Sequence, residues 1–303
     1  MHTSSTRNRT RVCAILALAA YGFAAQAESS GSSPTVAVGP QYDTTHVYVA
    51  PAEVDRFVQS FVATFGGQST KQVVATVTPT PSRTTSQLVQ TPVGTISVFG
   101  FQTPVPYPFG AERTGYLVSD LDVAVKAARQ AGADILVAPF PDPIGRDAVI
   151  QWPGGVNMQL YWHTTKPAYA PFSTVPENRV YVSVDRVNAF VASFLAFSQG
   201  KVVSDVVNAP GSEIGRPGEH YRRVRIESSF GRMLIAVTDG HLPFPFGREL
   251  TGYEVENLDE TLAKARAAGA QVLRRPEAQQ DRVCAFVEFP GGYVAEIHSL
   301  VTH

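Results

Sequence analysis

Four segments of the chain carry apolar residues at helical spacing. In residues 54–65, the stripe begins with Val54, Phe57, Val58 and Phe61 and returns one turn later. Glycines follow at positions 66 and 67, and glycine accepts the left-handed conformation that ends many helices. This segment is therefore predicted to be a helix that packs through one face.

The other three segments repeat the pattern. The second predicted helix has Ser119 as its cap and ends at Gln130. A third stripe occupies residues 187–195. The fourth helix begins with Asn257 as cap, and Glu260 three residues later completes a capping box.

Short β-branched and aromatic runs between these helices alternate apolar and polar positions, as strands with one buried face do. In the first half they lie at residues 44–49, 73–77, 87–90, 95–101, 114–118, 135–137, 148–152 and 156–162. The second half repeats the series. One strand, one helix and three strands thus occur twice in each half.

The two halves also repeat in sequence. Residues 109–139 and 246–276 align without a gap, 137 positions apart, and 16 of the 31 positions are identical. Residues 46–67 match residues 179–200 in the same way. Self-similarity of this length indicates a duplicated unit, and so two homologous domains.

This organisation resembles the vicinal oxygen chelate superfamily, which includes glyoxalase I, bleomycin-resistance proteins, fosfomycin-resistance enzymes and extradiol dioxygenases. The most specific pieces are TGYLVSDLDVAVKAARQAGA, TGYEVENLDETLAKARAAGA and FPGGYVAEIHSL. The resemblance covers residues 44–300. It implies an α+β fold of two tandem domains, residues 42–164 and 177–303, joined by a linker at 165–176. Each domain would be a pair of βαβββ units curled around a cleft, with helices on the outer faces.

The first 27 residues have the features of a secretory signal peptide. Arginines at positions 7, 9 and 11 precede an apolar run, and Ala-Gln-Ala at 25–27 fits a cleavage site. The run is shorter than the roughly 20 apolar residues that a membrane span needs. We expect cleavage after Ala27, a flexible leader at 28–41, export to the periplasm or the cell exterior, and no membrane attachment afterwards.

The charge balance argues against a nucleic-acid partner. The chain has 25 basic and 26 acidic residues, and cleavage would remove three arginines. Cleavage would also leave Cys284 as the sole cysteine, so no internal disulfide would form. The expected partner is a small molecule, bound by a monomer or homodimer.

The last strand of each domain is predicted to turn polar side chains towards the cleft, because side chains alternate between faces along a strand. In the first domain these are Asn157, Gln159, Tyr161 and His163, while Val156, Met158, Leu160 and Trp162 would pack under helices. In the second domain Glu296 and His298 share a face with Val294.

The resemblance implies where a metal would bind. Glu296 follows Gly292 by four residues, as the family's terminal metal-binding glutamate does, and Gln159 takes the matching place in the first domain. Candidate ligands of one divalent ion (Zn, Ni, Fe or Mn) are Glu177, Glu296 and His298 in the second domain, and His46 and Gln159 in the first. Arg113 and Leu250 stand where the family usually has a histidine, and neither is a ligand.

Two function classes follow. One is a metal-dependent lyase, isomerase or dioxygenase of the glyoxalase kind, and the other is a metal-free protein that binds a small, partly aromatic molecule. A further alternative is that one domain has lost its site and only scaffolds the other. Candidate ligand-binding residues are Tyr48, Arg113, Tyr161, Arg179 and Tyr181. Glu112 and Glu249 recur at a strand entry, where a structural role is favoured over that of a general base.

The cleft residues also predict that the two domains differ. Two carboxylates converge in the second domain, so any metal is expected there. The first domain brings Arg113 and neutral groups, which would suit an anionic or carbonyl-bearing ligand.

Overall fold

The computed structural model describes residues 1–2, 35–279 and 281–301. Apart from Met1 and His2, the predicted signal peptide lies outside the described residues, as does the first part of the predicted leader. In the described part of the chain, no helix combines the length and apolar character that crossing a membrane requires.

The first half of the chain forms one curled sheet with the order β2-β4-β5-β1-β6-β9-β8-β7, and β3 pairs with β4 at its edge. Its strands are β1 Thr44–Tyr48, β2 Gln68–Ser69, β3 Val73–Ala75, β4 Thr84–Thr91, β5 Gly94–Phe101, β6 Thr114–Leu117, β7 Asp134–Pro141, β8 Gly145–Trp152 and β9 Val156–His163. At its centre β1 and β6 run antiparallel, and each has a parallel strand on its other side.

The second half forms an equivalent sheet with the order β11-β12-β13-β10-β14-β17-β16-β15. Its strands are β10 Glu177–Val182, β11 Lys201–Pro210, β12 His220–Ser228, β13 Gly231–Val237, β14 Leu250–Glu254, β15 Gln271–Gln279, β16 Arg282–Phe289 and β17 Tyr293–Leu300. The predicted α+β architecture of paired βαβββ units is confirmed. Residues 164–176, which connect the last strand of the first sheet to the first strand of the second, form neither helix nor strand.

Each unit contributes one helix after its first strand: α1 Val54–Phe65, α2 Leu121–Gln130, α3 Val187–Ser198 and α4 Leu258–Ala267. The Asn257 side chain accepts a hydrogen bond from the Glu260 backbone N–H at 3.0 Å, as an N-cap does. The corresponding cap of α2 is Asp120, which accepts from Val123 N–H, and not Ser119 as the sequence suggested. The carboxylate one position later has the geometry to reach the free N–H groups.

The helices lie between the two sheets, on the side of each sheet opposite its cleft. Helix α1 packs with α4, and α2 with α3. The first pair shares an apolar core with both sheets, in which Phe61 of α1 lies 5.1 Å from Phe289 of β16 between ring centroids. In the second, Trp152 of β8 meets Phe194 of α3 at 5.8 Å. As expected, the helices cover the face of each sheet that is opposite its cleft. That face is not exposed to solvent, because it packs against the other half.

The end of the predicted leader is held against the first sheet. Val36 is buried in the core with α2, and Ala37 forms a bridge with Val118. Ser119 N–H donates to the Val36 carbonyl at 2.8 Å. The leader prediction is thus corrected for these residues, because apolar side chains at positions 36 and 37 join the core.

Candidate functional site

The cleft of the first sheet, here the first cleft, is built on a row of residues in register across three central strands. Thr44 of β1 lies opposite Gly115 of β6, and Gly115 lies opposite Gln159 of β9. A Cβ at Gly115 would lie 2.5 Å from His46 Nε2. The absent side chain leaves room for the buried His46 imidazole above the floor of the cleft.

A cavity of about 390 Å³ opens above this floor. Its walls combine aromatic and aliphatic side chains with a few polar ones. They are Thr44, His46, Tyr48, Thr70, Val73, Val77, Ser86, Gln87, Leu88, Ser97, Phe99, Phe109, Asp142, Ile144, Asp147, Gln159, Tyr161, His163 and Tyr169. The predicted inward face of β9 is confirmed for Gln159, Tyr161 and His163, whereas Met158 and Leu160 lie in the core on the other side.

A polar group of three residues adjoins this cavity. Glu112 is fully buried and accepts a hydrogen bond from the Tyr48 hydroxyl. His46 Nδ1 lies 3.6 Å from Glu112 Oε1, and neither His46 Nδ1 nor Glu112 Oε2 has a hydrogen-bond partner among the described residues. Burial raises the pKa of Tyr48, and the charge of Glu112 raises it further, so the phenol stays protonated. The sequence favoured a structural role for Glu112. The structure adds that its carboxylate binds Tyr48 and lies beside His46, and both of these residues line the cavity.

The opposite wall is acidic. Asp147 on β8 is buried and lies across from Tyr161 in register. Burial raises the pKa of Asp147 well above its ordinary 3.8, and the nearby carboxylates of Asp142 and Glu112 act in the same direction. Burial also lowers the pKa of His163, against the opposing charge of Asp142.

Arg113 does not contribute the cationic group expected in this cleft. Its guanidinium lies over the Tyr48 ring, 5.7 Å from the centroid, and it is not among the residues that line the cavity. The structure therefore does not support the expected preference for an anionic ligand, because the described residues that line the cavity include the carboxyl groups of Asp142 and Asp147 and no arginine or lysine.

The cleft of the second sheet, here the second cleft, has the same row: Glu177, Gly252 and Glu296 lie in register. Here Arg179 is buried in direct contact with the fully buried Glu296 carboxylate. His298 Nδ1 lies 2.9 Å from Glu296 Oε1. Burial lowers the pKa of His298 to about 3, with the arginine charges of Arg282 and Arg179 adding to it, so this imidazole is neutral at pH 7.

Two more arginines neutralise Glu177. Arg282 Nη1 lies 3.0 Å from Glu177 Oε1, and Arg225 Nε lies 3.9 Å from Oε2. Burial raises the pKa of Glu177, but the charges of Arg282, Arg179 and Arg225 outweigh it and hold the pKa below its ordinary value. Arg225 also binds Asp281 at 2.7 Å.

The remaining space is closed by a short 3₁₀ helix, Gly211–Ile214. Its Glu213 carboxylate is buried, accepts from the Tyr221 hydroxyl at 2.7 Å and pairs with Arg223 at 2.6 Å. Ile214 packs with Leu234 and other apolar side chains on the same side of the sheet, with half-buried Tyr181 beside them. The second cleft is thus occupied by the protein's own side chains.

The predicted metal ligands do not fit a divalent ion. Within the described residues, no three His, Cys, Asp or Glu side chains converge to hold a metal. In the second cleft the two carboxylates that were expected to attract a cation already pair with arginines. In the first cleft the equivalent position carries Gln159, whose amide oxygen brings no charge. A metal would have to displace buried guanidinium groups from Glu296 and Glu177, and removing one partner from a buried pair is strongly unfavourable.

Several functional positions were not predicted from sequence. Asp147 lies on β8, which pairs with β9, and Asp142 lies in the turn just before β8. Tyr169, which also lines the cavity, belongs to the predicted linker. The arginines at 223, 225 and 282 meet Glu213 and Glu177 from other strands. A full pairing register could have found Asp147, because it faces the same way as Tyr161. The sequence holds no comparable signal for Tyr169.

Comparisons with known proteins show the fold alone. No family model and no curated protein matches the sequence. Among solved structures, a mutant of 4-hydroxymandelate synthase from Streptomyces coelicolor is 14% identical, with a TM-score of 0.55 over 89% of this chain and 94% of that one. The 2,2',3-trihydroxybiphenyl 1,2-dioxygenase of Sphingomonas wittichii is 12% identical, with a TM-score of 0.53 over 86% and 90%.

A Mn(II)-bound glyoxalase from Novosphingobium aromaticivorans is 13% identical, with a TM-score of 0.51 over 87% of this chain and 82% of that one. This chain therefore shares the fold of these proteins over most of its length, as its sequence resemblance to the vicinal oxygen chelate superfamily implied.

Proposed function

We propose that this protein binds a small, partly aromatic molecule in the first cleft without a metal ion held by the protein, and that the second cleft is structural. The observation that carries the proposal is the cavity of about 390 Å³ on the cleft side of the first sheet, lined by residues of β1, β4, β5, β8 and β9. Ligand sites in proteins are typically concave, about 300–1,000 Å³, mostly apolar, and supplied with a few fixed polar groups. The first cleft has this composition, with Phe99 and Phe109 beside Gln159 and His46.

The test is a ligand screen on metal-stripped protein. After dialysis against a chelator, a library of aromatic fragments is screened by thermal shift and by protein-observed NMR. Binding of each hit is measured again on the variant Leu88→Arg. Leu88 lines the cavity, and the equivalent position on β12 of the second sheet is Arg225, so the variant places the same residue type in the first cleft. Val74→Arg is the matched control, since Val74 is exposed on β3 and is not among the lining residues.

We expect hits that bind metal-stripped protein, weaken at least tenfold in Leu88→Arg and remain in Val74→Arg. Binding that returns only when a divalent ion is restored would contradict the metal-free proposal. Binding that survives in Leu88→Arg would place the ligand elsewhere.

A second function, proton transfer to or from the bound molecule, is favoured by the group of His46, Glu112 and Tyr48. An imidazole oriented by a buried carboxylate is a recurring arrangement for general acid–base catalysis. Hits with a C–H next to a carbonyl would be incubated in D₂O and followed by NMR. We expect the wild-type protein to exchange this hydrogen for deuterium. The variant His46→Gln should abolish the exchange and change the affinity for the ligand by no more than a few-fold. Equal exchange in both proteins would exclude this function.

Export is a separate proposal, supported by the arginines before residue 12, the apolar run and the Ala-Gln-Ala sequence. N-terminal sequencing of the protein recovered from a native host tests it. Glu28 as the first residue is the expected result, and an intact Met1 end on cytoplasmic protein would contradict it.

A further inference from the structure

One wall of the first cleft presents a carboxylate that has no partner in the protein. Asp147 is 5% exposed and lines the cavity. Among the described residues, no hydrogen bond or ion pair reaches its carboxylate. Asp142, at the turn between β7 and β8, lines the same wall.

The charges around Asp147 are all of one sign. The groups whose charge shifts its pKa are Asp142 and Glu112, both of which raise it, in addition to burial. The adjacent Arg146 turns away and binds Asp122 at 2.8 Å on the surface. Arginine and lysine are absent from the described residues that line the cavity. An ionised carboxylate in such a place is costly unless a cation reaches it.

Aromatic rings line the same cavity as this carboxylate. Tyr161 lies opposite Asp147 on the neighbouring strand, and Phe109, Phe99 and Tyr169 line the same cavity. Ring faces attract organic cations within about 6 Å and also pack against flat ligands. The wall thus offers a hydrogen-bond acceptor for a charged donor beside surfaces for an apolar body.

The second cleft shows what this arrangement lacks. There each buried carboxylate has a guanidinium within reach, as Glu296 has Arg179 and Glu177 has Arg282. The position equivalent to Asp147 is Cys284, a buried thiol whose pKa burial raises to about 11. The chain therefore pairs its buried acids with its own cations in one cleft and leaves an acid unpaired in the other.

We infer that the first cleft recognises a ligand with a protonated amine on a flat, unsaturated body, and that the ammonium donates to Asp147. This inference rests on the proposed function and names the ligand class of the same site. Three polar features carry it: the unpaired buried carboxylate, the second carboxylate of Asp142 on the same wall, and the lack of a lining arginine or lysine.

The test uses three probes with one ring system and different charge: tryptamine, tryptophol and indole-3-acetate. Dissociation constants are measured by isothermal titration at pH 7.5 on wild type, on Asp147→Asn and on the matched control Asp122→Asn. The control loses the same charge from an exposed pair outside the cavity. Circular dichroism confirms that each variant is folded.

A charge-assisted hydrogen bond of this kind corresponds to about tenfold or more in affinity. We expect tryptamine to bind at least tenfold more tightly than tryptophol, and indole-3-acetate to bind most weakly. Asp147→Asn should remove the tryptamine advantage and change tryptophol binding far less than tryptamine binding, while Asp122→Asn changes neither.

Equal binding of the three probes, or tryptamine binding that Asp147→Asn does not weaken, would overturn the amine inference and leave the cleft's role in binding intact. Failure of all three probes would also overturn it. The proposed function is judged separately by the broader fragment screen, whose hits must fall away in Leu88→Arg.

Discussion

The first and second clefts are built on the same strand order, yet one holds a cavity and the other is full. The difference comes from a few positions on equivalent strands. Four arginines in the second sheet replace smaller or uncharged residues of the first: Arg179 replaces His46, Arg223 replaces Ser86, Arg225 replaces Leu88 and Arg282 replaces Gly145. Each brings volume and charge, and each pairs with a carboxylate that the first sheet lacks or places elsewhere.

This comparison teaches that a duplicated scaffold can keep its core and change its cleft independently. The core lies on the helix side of each sheet, and side chains that alternate along a strand reach only one side. Substitutions at Arg179 or Arg225 therefore leave the packing of α3 unchanged. The cleft side of the second repeat is filled by buried ion pairs, while that of the first holds a cavity.

The largest effect on the free energy of unfolding is expected from breaking an ion pair of the second cleft. Arg179→Met removes the guanidinium in direct contact with the buried Glu296 carboxylate. It leaves a neutral His298 and the more distant Arg282, 3.9 Å away, so we expect unfolding to become easier by about 3–5 kcal/mol. Urea denaturation at pH 7 measures this. The matched change in the first cleft, His46→Met, should cost less. Adding Glu296→Met to Arg179→Met should restore most of the loss, and equal losses at positions 46 and 179 would contradict the contrast.

The next effect is a pH dependence of stability that comes from Glu249, the counterpart of Glu112 in the second repeat. Burial raises the pKa of half-buried Glu249 from 4.5 to about 8, the charge of Arg113 opposes this and that of Glu112 adds to it. The folded protein thus holds a proton that the unfolded chain loses above pH 4.5, so stability falls as pH rises from 5 to 8. Glu249→Gln should stabilise the protein at pH 9 and hardly at pH 5. The difference between a pKa of 4.5 and one of about 8, at about 1.4 kcal/mol per pKa unit, sets an upper bound of about 5 kcal/mol. Solvent screening at this half-buried carboxyl reduces the expected gain to roughly 2 kcal/mol.

Denaturant unfolding measured from pH 5 to pH 9 checks this prediction. Glu260→Gln, an exposed glutamate on α4, is the control and should not change the slope. A constant difference between Glu249→Gln and wild type across this range would contradict it.

A smaller effect compares the two glycines at the floor of the clefts. A Cβ at Gly115 would lie 2.5 Å from His46 Nε2 and 2.9 Å from Thr44 Oγ1, whereas a Cβ at Gly252 meets its neighbours at 3.6 Å. Gly115→Ala should therefore cost about 1–3 kcal/mol and displace His46. Gly252→Ala should be neutral or stabilise by about 0.5–1 kcal/mol, because it restricts the unfolded chain. Thermal unfolding of both variants decides, and equal shifts would contradict the difference in space.

The smallest effect tests the part of the scaffold that the halves share. Asp120→Ala and Asn257→Ala each remove an N-cap with a 3.0 Å hydrogen bond, and each should cost about 1 kcal/mol. The two losses should agree within a few tenths of a kcal/mol in denaturant unfolding. A large difference would show that the helices are not equivalent.

Local patterns in the sequence predicted the elements well. The stripe that includes Phe57 and Phe61 gave the bounds of α1, and alternation along β9 gave its cleft face. These signals are local because a helix turn or a strand pleat involves residues a few positions apart. The cap at Asp120 was misplaced by one residue, which is the precision that periodicity offers at a helix end.

The contents of the clefts could not be predicted in the same way. The pair of Glu177 and Arg282 joins residues 105 positions apart through strands that are not neighbours in sequence. The carboxylates of Glu177 and Glu296 were expected to attract a metal ion, but their cationic partners are arginines from β10, β12 and β16. Arg113 was placed in the first cleft by analogy, although its side chain lies over Tyr48 instead.

The pairing of α1 with α4 and of α2 with α3 has a consequence for how the molecule comes apart. Because each apolar core contains residues from both halves, a cut between residues 163 and 177 would expose the helix-covered face of each sheet to water. The two repeats should thus melt in one cooperative step, despite their separate sheets. A substitution that disrupts the filled second cleft would then also destabilise the first half. The second half would therefore limit how long the first cleft stays folded, although its own cleft is filled by protein side chains.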